Sequence, residues 1–199
     1  MLTMFALMLQ TATLDADAAK AAITCAQAVT IADAGTRSPM QLTSQFTYLM
    51  MQAAKAKPEG TFFEQISQLS QSTAAAARMS PDQAKPLAPV CNARFPIARS
   101  AALARLPSDP FRRDVLCFST LSVLQGAAEE IAKEGDDAAS AKIKAAIEPL
   151  TARLNDAELK KRGLDVDQKF TKVMGDEMLA SLPIGNPLTI AAACGVSLT

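Results

Sequence analysis

The residues with the most distinctive chemistry in this 199-residue chain are its four cysteines, Cys25, Cys91, Cys117 and Cys194. A cysteine thiolate can attack a substrate, bind a metal or form a disulfide. The chain has no histidine, so the usual general base and the commonest metal ligand are both missing. It also has no Cys-x-x-Cys pair, which argues against thioredoxin-type redox chemistry. We therefore expect the cysteines to be structural and paired as two disulfides.

The cysteine spacing does not by itself choose among the three possible pairings. Both halves of the chain, however, share an order of events: a cysteine on a long helix, a middle helix, an aromatic-bearing helix and a second cysteine. If this order reflects an internal duplication, Cys25 pairs with Cys91 and Cys117 with Cys194, at separations of 66 and 77 positions. The alternative is four buried free thiols in a cytosolic protein, because unpaired cysteine packs like a small apolar side chain.

Other familiar catalytic and cofactor motifs are missing from the sequence. It contains neither a Gly-rich phosphate loop nor a Gly-x-Ser-x-Gly nucleophile elbow, so we predict no catalytic residue, no cofactor and no metal site. Lys plus Arg equals Asp plus Glu at 20 each. A chain without net charge has little attraction for phosphate backbones, so we do not expect nucleic-acid binding.

The composition predicts an all-α fold. Apolar residues make up 49% of the chain and aromatic residues only 5%, so the core must be built mainly from Ala, Leu, Ile, Val and Met, which favours helices over strands. We predict a helical bundle made of two similar tandem halves, each closed by one disulfide. Residues 19–95 form the first half, 96–109 a linker helix, and 110–199 the second half.

Local signals predict several helix boundaries. Thr61 and Glu64 have the spacing of a capping box, in which each side chain satisfies a backbone amide of the other residue. Ser80 followed by Pro81 is typical of another helix start. Pro86 and Pro89 predict that this helix stays short and becomes irregular before Cys91.

The amino terminus resembles a secretory signal peptide over residues 1–18. An apolar run over residues 1–9 is followed by Ala16-Asp17-Ala18, which fits a small-x-small peptidase site. The alternative is that the apolar run is the beginning of the first helix. Export would place the protein in the periplasm or outside the cell, where disulfides persist. Charged residues interrupt the later helical stretches, so we expect no transmembrane segment in the mature chain.

The bulkiest apolar side chains occur at helical spacing on two consecutive predicted helices. They favour core packing, but could also leave a groove for an apolar ligand; the candidate groove residues are Phe46, Met50, Phe62, Phe63 and Ile66. We therefore expect a non-enzymatic exported protein that binds a protein partner or a small apolar molecule. The alternatives are a structural or inhibitory interaction protein without a ligand pocket, and an enzyme of unfamiliar type.

Overall fold

The computed structural model describes residues 13–56, 61–75, 79–133, 135 and 137–198. Over these residues the chain is all-α, as predicted, and strands are absent from this part of the chain. The α-helices are α1 (Ala18–Ala32), α2 (Pro39–Lys55), α3 (Phe62–Ala75), α4 (Pro81–Arg94), α5 (Pro110–Ala132), α6 (Ala138–Arg153), α7 (Asp156–Lys161), α8 (Asp167–Ala180) and α9 (Pro187–Ala193). A 3₁₀ helix, Pro96–Arg99, follows α4.

Many helices begin where a short polar side chain precedes a proline. Ser38, Ser80 and Asn186 each form a reciprocal capping box at the start of α2, α4 and α9. Proline at the first helical position removes no hydrogen bond from the helix, because an N–H at that position would have no acceptor inside the helix. The predicted capping box at the start of α3 is confirmed: Thr61 N donates to Glu64 Oε2 over 3.0 Å and Glu64 N donates to Thr61 Oγ1 over 3.4 Å.

The prediction that Pro86 and Pro89 would break the helix before Cys91 is wrong. Helix α4 is continuous over 14 residues and contains both prolines. Both lie on the solvent side, so the carbonyls of Asp82 and Lys85 that lose a helical donor face water rather than the core. Packing of α4 on α1 then holds the helix together despite the two lost hydrogen bonds.

The predicted linker helix over residues 96–109 is also wrong beyond its first turn. Only Pro96–Arg99 is helical, and the chain is irregular from Ser100 to Asp109. The side-chain amide of Asn186 donates to the carbonyls of Ile97, over 3.0 Å, and Ser100, over 2.8 Å. Ser100 already has an extended backbone, with φ −59° and ψ 139°, and the two hydrogen bonds from Asn186 hold the chain in this non-helical course.

The first half of the chain is built on the packing of α1 against α2 and α4. The Cys25–Cys91 disulfide joins α1 to α4, with the two Cα atoms 5.4 Å apart. Small side chains allow the close approach of α1: Ala21, Ala22 and Ala26 are fully buried. This disulfide confirms the first predicted pair.

The second half is built around α5, which packs on α6, α8 and α9. The Cys117–Cys194 disulfide joins α5 to the end of α9, with the Cα atoms 5.8 Å apart, and confirms the second pair. Two arginine–carboxylate pairs add cross-helix contacts. Arg112 on α5 pairs with Glu177 on α8 at 2.6 Å, and Arg153 on α6 pairs with Asp114 on α5 at 2.7 Å.

Helix α2 lies between the two halves and contributes to both cores. Met40 packs with Leu121 and Leu124 of α5, whereas Leu49 and Met50 pack in a larger core with residues of α1 and α8. The internal duplication and the limits of the halves stay predictions. Helix α5 is long and apolar enough to cross a membrane by length and composition, but within this fold its residues Val115, Leu121 and Leu124 are fully buried.

The segment just before α1 contacts the helical body. Leu14 packs against the larger core, and Arg94 donates to the carbonyls of Asp15, over 2.7 Å, and Ala16, over 3.3 Å. Asp17 caps α1 by accepting from Lys20 N at 2.9 Å. Residues 1–12 of the predicted signal peptide lie outside the described residues.

Candidate functional site

A cleft with a volume of about 930 Å³ lies where the end of α2 and the start of α3 face α8. Its apolar lining comes from Ala54, Phe62, Phe63 and Leu179. A volume of this size falls in the range of small-molecule binding sites, roughly 300–1,000 Å³. We call it the α3–α8 cleft.

Phe62 of the cleft lining takes part in a close contact between α3 and α8. A Cβ atom added at Gly175 on α8 would lie 2.6 Å from Phe62 Cβ, so only glycine lets α8 approach Phe62 this closely. Phe63 meets Phe62 edge to face, with ring centroids 5.0 Å apart and an interplanar angle of 78°, a favourable geometry for aromatic rings. The contact fixes Phe62 and positions Phe63 in the cleft lining.

Charged side chains of both signs border the apolar lining. Lys172 pairs with Asp176 at 2.7 Å along α8, and Lys169 Nζ donates to the carbonyl of Gly163 over 3.2 Å. Lys55 and Asp167 also line the cleft and are exposed, and neither forms an ion pair with another described residue. The α3–α8 cleft is therefore amphipathic, with charges of both signs available at its edge.

Glu64 at the cleft edge is held by the α3 cap. The backbone N–H of Thr61, followed by its hydroxyl, lowers the pKa of the Glu64 carboxyl below its ordinary value. Hydrogen bonds to a carboxylate favour its charged form. Glu64 is thus an ionised structural cap in neutral solution rather than a proton donor.

The structure brings together two of the five predicted groove residues in this lining. Phe62 and Phe63 line the α3–α8 cleft, but Phe46, Met50 and Ile66 are not part of its lining. Met50 is fully buried in the larger core, and Phe46 and Ile66 pack against that core. The opposite wall of the cleft is formed by α8. The sequence pattern did not predict this wall, because α8 lies about a hundred residues further along the chain. Gly175, a glycine within a helix, was the one local signal of close packing there.

Metal-ligand clusters and shifted carboxyl pKa values would be further signs of chemistry in the described part of the chain. No group of three or more His, Cys, Asp or Glu side chains in it could hold a metal ion. The pKa of Glu129 is lowered by hydrogen bonds from Gln125 and Lys144, and that of Glu158 by Arg162. A general acid working near neutral pH needs a raised carboxyl pKa, so these shifts are those of surface ion pairs.

Comparisons with protein-family models, with curated proteins and with solved structures find no match to this chain. The interpretation of the α3–α8 cleft therefore rests on its own geometry.

Proposed function

We propose that this chain is a non-enzymatic, exported binding protein whose ligand site is the α3–α8 cleft. The observation that supports this most is the combination of an aromatic lining, Phe62 and Phe63, with a charged border in one cleft of about 930 Å³. The ligand that suits such a site is a small amphipathic molecule with an apolar body and a charged end. Two intramolecular disulfides are compatible with an oxidising compartment outside the cytoplasm.

The fit of such a ligand follows from the two parts of the cleft. Burial of an apolar body against Phe63 and Leu179 removes apolar surface from water, which provides affinity. The exposed ammonium of Lys55 or carboxylate of Asp167 can then pair with the charged end and orient the ligand. The cleft is open to solvent at its border, so the charged end stays hydrated.

Titration with 1-anilinonaphthalene-8-sulfonate, a fluorescent amphipathic anion, tests this proposal on the full folded chain. We expect one saturable site. Phe63→Ala should weaken binding at least about tenfold, because an aromatic side chain contributes roughly 1.5–3 kcal/mol when buried by a ligand. Thr171→Trp, which fills the cleft from α8 without removing a core side chain, should abolish dye binding.

Phe111→Ala is the matched control. Phe111 is half-buried like Phe63 but lies outside the cleft, where its ring faces the Arg162 guanidinium at 4.0 Å. Affinity for the dye should change by no more than about twofold in this variant. A dye that does not saturate a single site, or that binds Phe63→Ala and Thr171→Trp as well as the unaltered chain, would refute the proposal.

A structural or inhibitory interaction protein remains a second candidate, and the filled interior favours it. Met50 has no exposed surface and Phe46 packs against the core, so these residues do not open an internal pocket together with Phe62. Failure of the dye titration would favour this second function.

A further inference from the structure

A second pocket, with a volume of about 200 Å³, lies between the α1–α2 turn, the 3₁₀ helix and α9, away from the α3–α8 cleft. Arg37 and Arg99 supply its positive charge, and Leu103 and Leu188 supply apolar surface. Leu103 is 70% exposed, the largest exposed fraction of any bulky apolar side chain among the described residues. The pocket thus places two guanidinium groups beside an uncovered leucine.

The charges around these arginines are unbalanced. Asp33 is the described carboxylate that faces both guanidinium groups, and its Oδ2 lies 3.7 Å from Arg99 Nη1, too far for a hydrogen bond. Asp33 Oδ2 is buried and has no hydrogen-bond partner among the described residues. One carboxylate between two arginines leaves a net positive charge at the pocket.

Arg37 is the less satisfied of the two arginines. Its side chain is half-buried, and its guanidinium makes neither a hydrogen bond nor an ion pair with the rest of the described chain. Burial lowers the pKa of Arg37, the charge of Arg99 lowers it further, and Asp33 partly offsets both. Five unused N–H donors in a partly desolvated position would be stabilised by a bound anion.

The inner wall of this pocket is fixed before any ligand binds. Ser44 Oγ donates to Asn186 Oδ1 over 3.2 Å and accepts from Leu188 N at 3.0 Å. The amide of Asn186 in turn holds the carbonyls of Ile97 and Ser100. This network ties α2, α9 and the 3₁₀ helix together, so Arg99 and Leu188 lie on a rigid frame, which reduces the entropy lost on binding.

We propose that this pocket binds a carboxylate carrying a short apolar chain, with Arg37 and Arg99 holding the carboxylate and Leu103 and Leu188 covering the chain. Arginine matches the planar carboxylate with paired N–H donors. A volume of about 200 Å³ limits the bound part to a small group. The carboxylate can come from a free molecule or from the carboxyl terminus of a peptide.

Calorimetric titration of the full chain with hexanoate tests the proposal, with hexan-1-ol and hexylammonium as probes of the same length that lack the anion. Saturable binding of hexanoate alone is the expected result. Arg37→Gln should weaken it at least about tenfold, the loss expected for a hydrogen-bonded charge. Arg99→Gln, at a more exposed position, provides a second test if Arg37→Gln does not fold.

Arg105→Gln is the matched control, because Arg105 is an exposed arginine that lines a different cleft. The affinity of this variant for hexanoate should stay within about twofold of that of the unaltered chain. Phe63→Ala should also leave hexanoate binding unchanged, which separates this pocket from the α3–α8 cleft. Absence of saturable hexanoate binding, equal binding of hexan-1-ol, or unchanged affinity in Arg37→Gln and Arg99→Gln would each overturn the proposal.

A leucine-terminated tripeptide, compared as free acid and as amide, identifies the source of the carboxylate. Binding of the acid that is tighter than that of hexanoate, together with no binding of the amide, supports the proposal and assigns the carboxylate to a peptide terminus. Tighter binding of hexanoate supports it and assigns the carboxylate to a free molecule. Binding of acid and amide with equal affinity contradicts recognition of a carboxylate.

Discussion

Gln45 on α2 is a buried amide with an unusual environment. Only 1% of its surface is exposed, and neither atom of its side-chain amide has a hydrogen-bond partner among the described residues. A buried amide without partners lowers stability by roughly 1–3 kcal/mol. Gln45→Met keeps the length of the side chain and removes both polar atoms, so we expect a higher free energy of unfolding in urea.

Gln52→Met is the control on the same helix. In the unaltered chain, the amide nitrogen of Gln52 donates to Tyr48 Oη over 2.8 Å, and Tyr48 Oη donates to the carbonyl of Leu182 over 3.2 Å. Loss of the first of these bonds should destabilise the fold by about 1 kcal/mol. If Gln45→Met lowers stability as much as Gln52→Met, Gln45 has a partner inside the fold, such as a buried water.

At the scale of helices, the contact between α3 and α8 depends on one glycine. Gly175→Ala would place a methyl group 2.6 Å from Phe62 Cβ, and such overpacking lowers stability by roughly 1–3 kcal/mol. Urea unfolding measures this loss, and dye binding should weaken with it because Phe62 lines the cleft. The same contact therefore supports both the packing and the proposed site.

Gly126→Ala provides the opposite case. Gly126 is exposed in the middle of α5, and an added Cβ would meet nothing within 4 Å. Alanine in an open helix interior should raise stability by about 0.5–1 kcal/mol. Equal effects of the two substitutions would contradict the close approach of α8 to Phe62.

The start of α3 should depend on pH through Glu64. Its folded pKa is lowered by Thr61, so its contribution is present above the unfolded value of about 4.3 and is lost as the pH falls through the lower folded value. Amide exchange of the first turn of α3 should therefore accelerate in acid. Glu64→Gln should remove most of this pH dependence, and an unchanged acid profile in that variant would contradict the role of the cap.

Helix starts could be predicted from the sequence because caps are local. Thr61 with Glu64 and Ser80 with Gln83 each satisfy backbone amides within one turn, so no distant residue is needed. The point at which the 3₁₀ helix Pro96–Arg99 ends was not predictable in this way. The backbone there is held by a hydrogen bond from Asn186 to the carbonyl of Ser100, and these two residues are 86 positions apart in the chain. The continuity of α4 through Pro86 likewise depends on which side of the helix faces α1.

The same distinction applies to the candidate site. Phe62 and Phe63 were predictable as bulky neighbours on one helix, but the wall that faces them, with Lys172 and Leu179, depends on how α8 packs. Met50 was assigned to the groove because helical spacing places it near Phe46, and its burial depends on packing between α2 and its neighbouring helices. The pocket at Arg37 and Arg99 joins three separate segments and had no local signal.

At the scale of the whole molecule, the two disulfides differ in exposure. Cys25 and Cys91 are 0% and 2% exposed, whereas Cys194 is half-buried and, together with Cys117, lines a surface cleft. Reduction requires access of a thiolate to sulfur, so we expect Cys117–Cys194 to be reduced first. Stepwise reduction followed by alkylation and peptide mass mapping tests the order, and first labelling of Cys25 and Cys91 would contradict it.

Loss of either disulfide should strongly destabilise the fold. Bridges that close loops of 66 and 77 positions each stabilise the folded state by roughly 4 kcal/mol in the chain-entropy model. This is a large part of the net stability of a domain, about 5–15 kcal/mol. A chain that depends on such bridges is suited to an oxidising compartment, which is compatible with the proposed export.

The intact mass of the protein from its native host, with and without reduction before alkylation, tests this account most directly. We expect no thiol labelling before reduction, four labels after it, and loss of an amino-terminal leader. Because Leu14 packs on the core and Asp17 caps α1, we expect cleavage before Leu14 rather than after Ala18, the position that the small-x-small pattern predicts. A full-length chain with four free thiols would contradict both the export and the disulfide-stabilised fold. A chain beginning at Ala19 would contradict the structural role of residues 14–17.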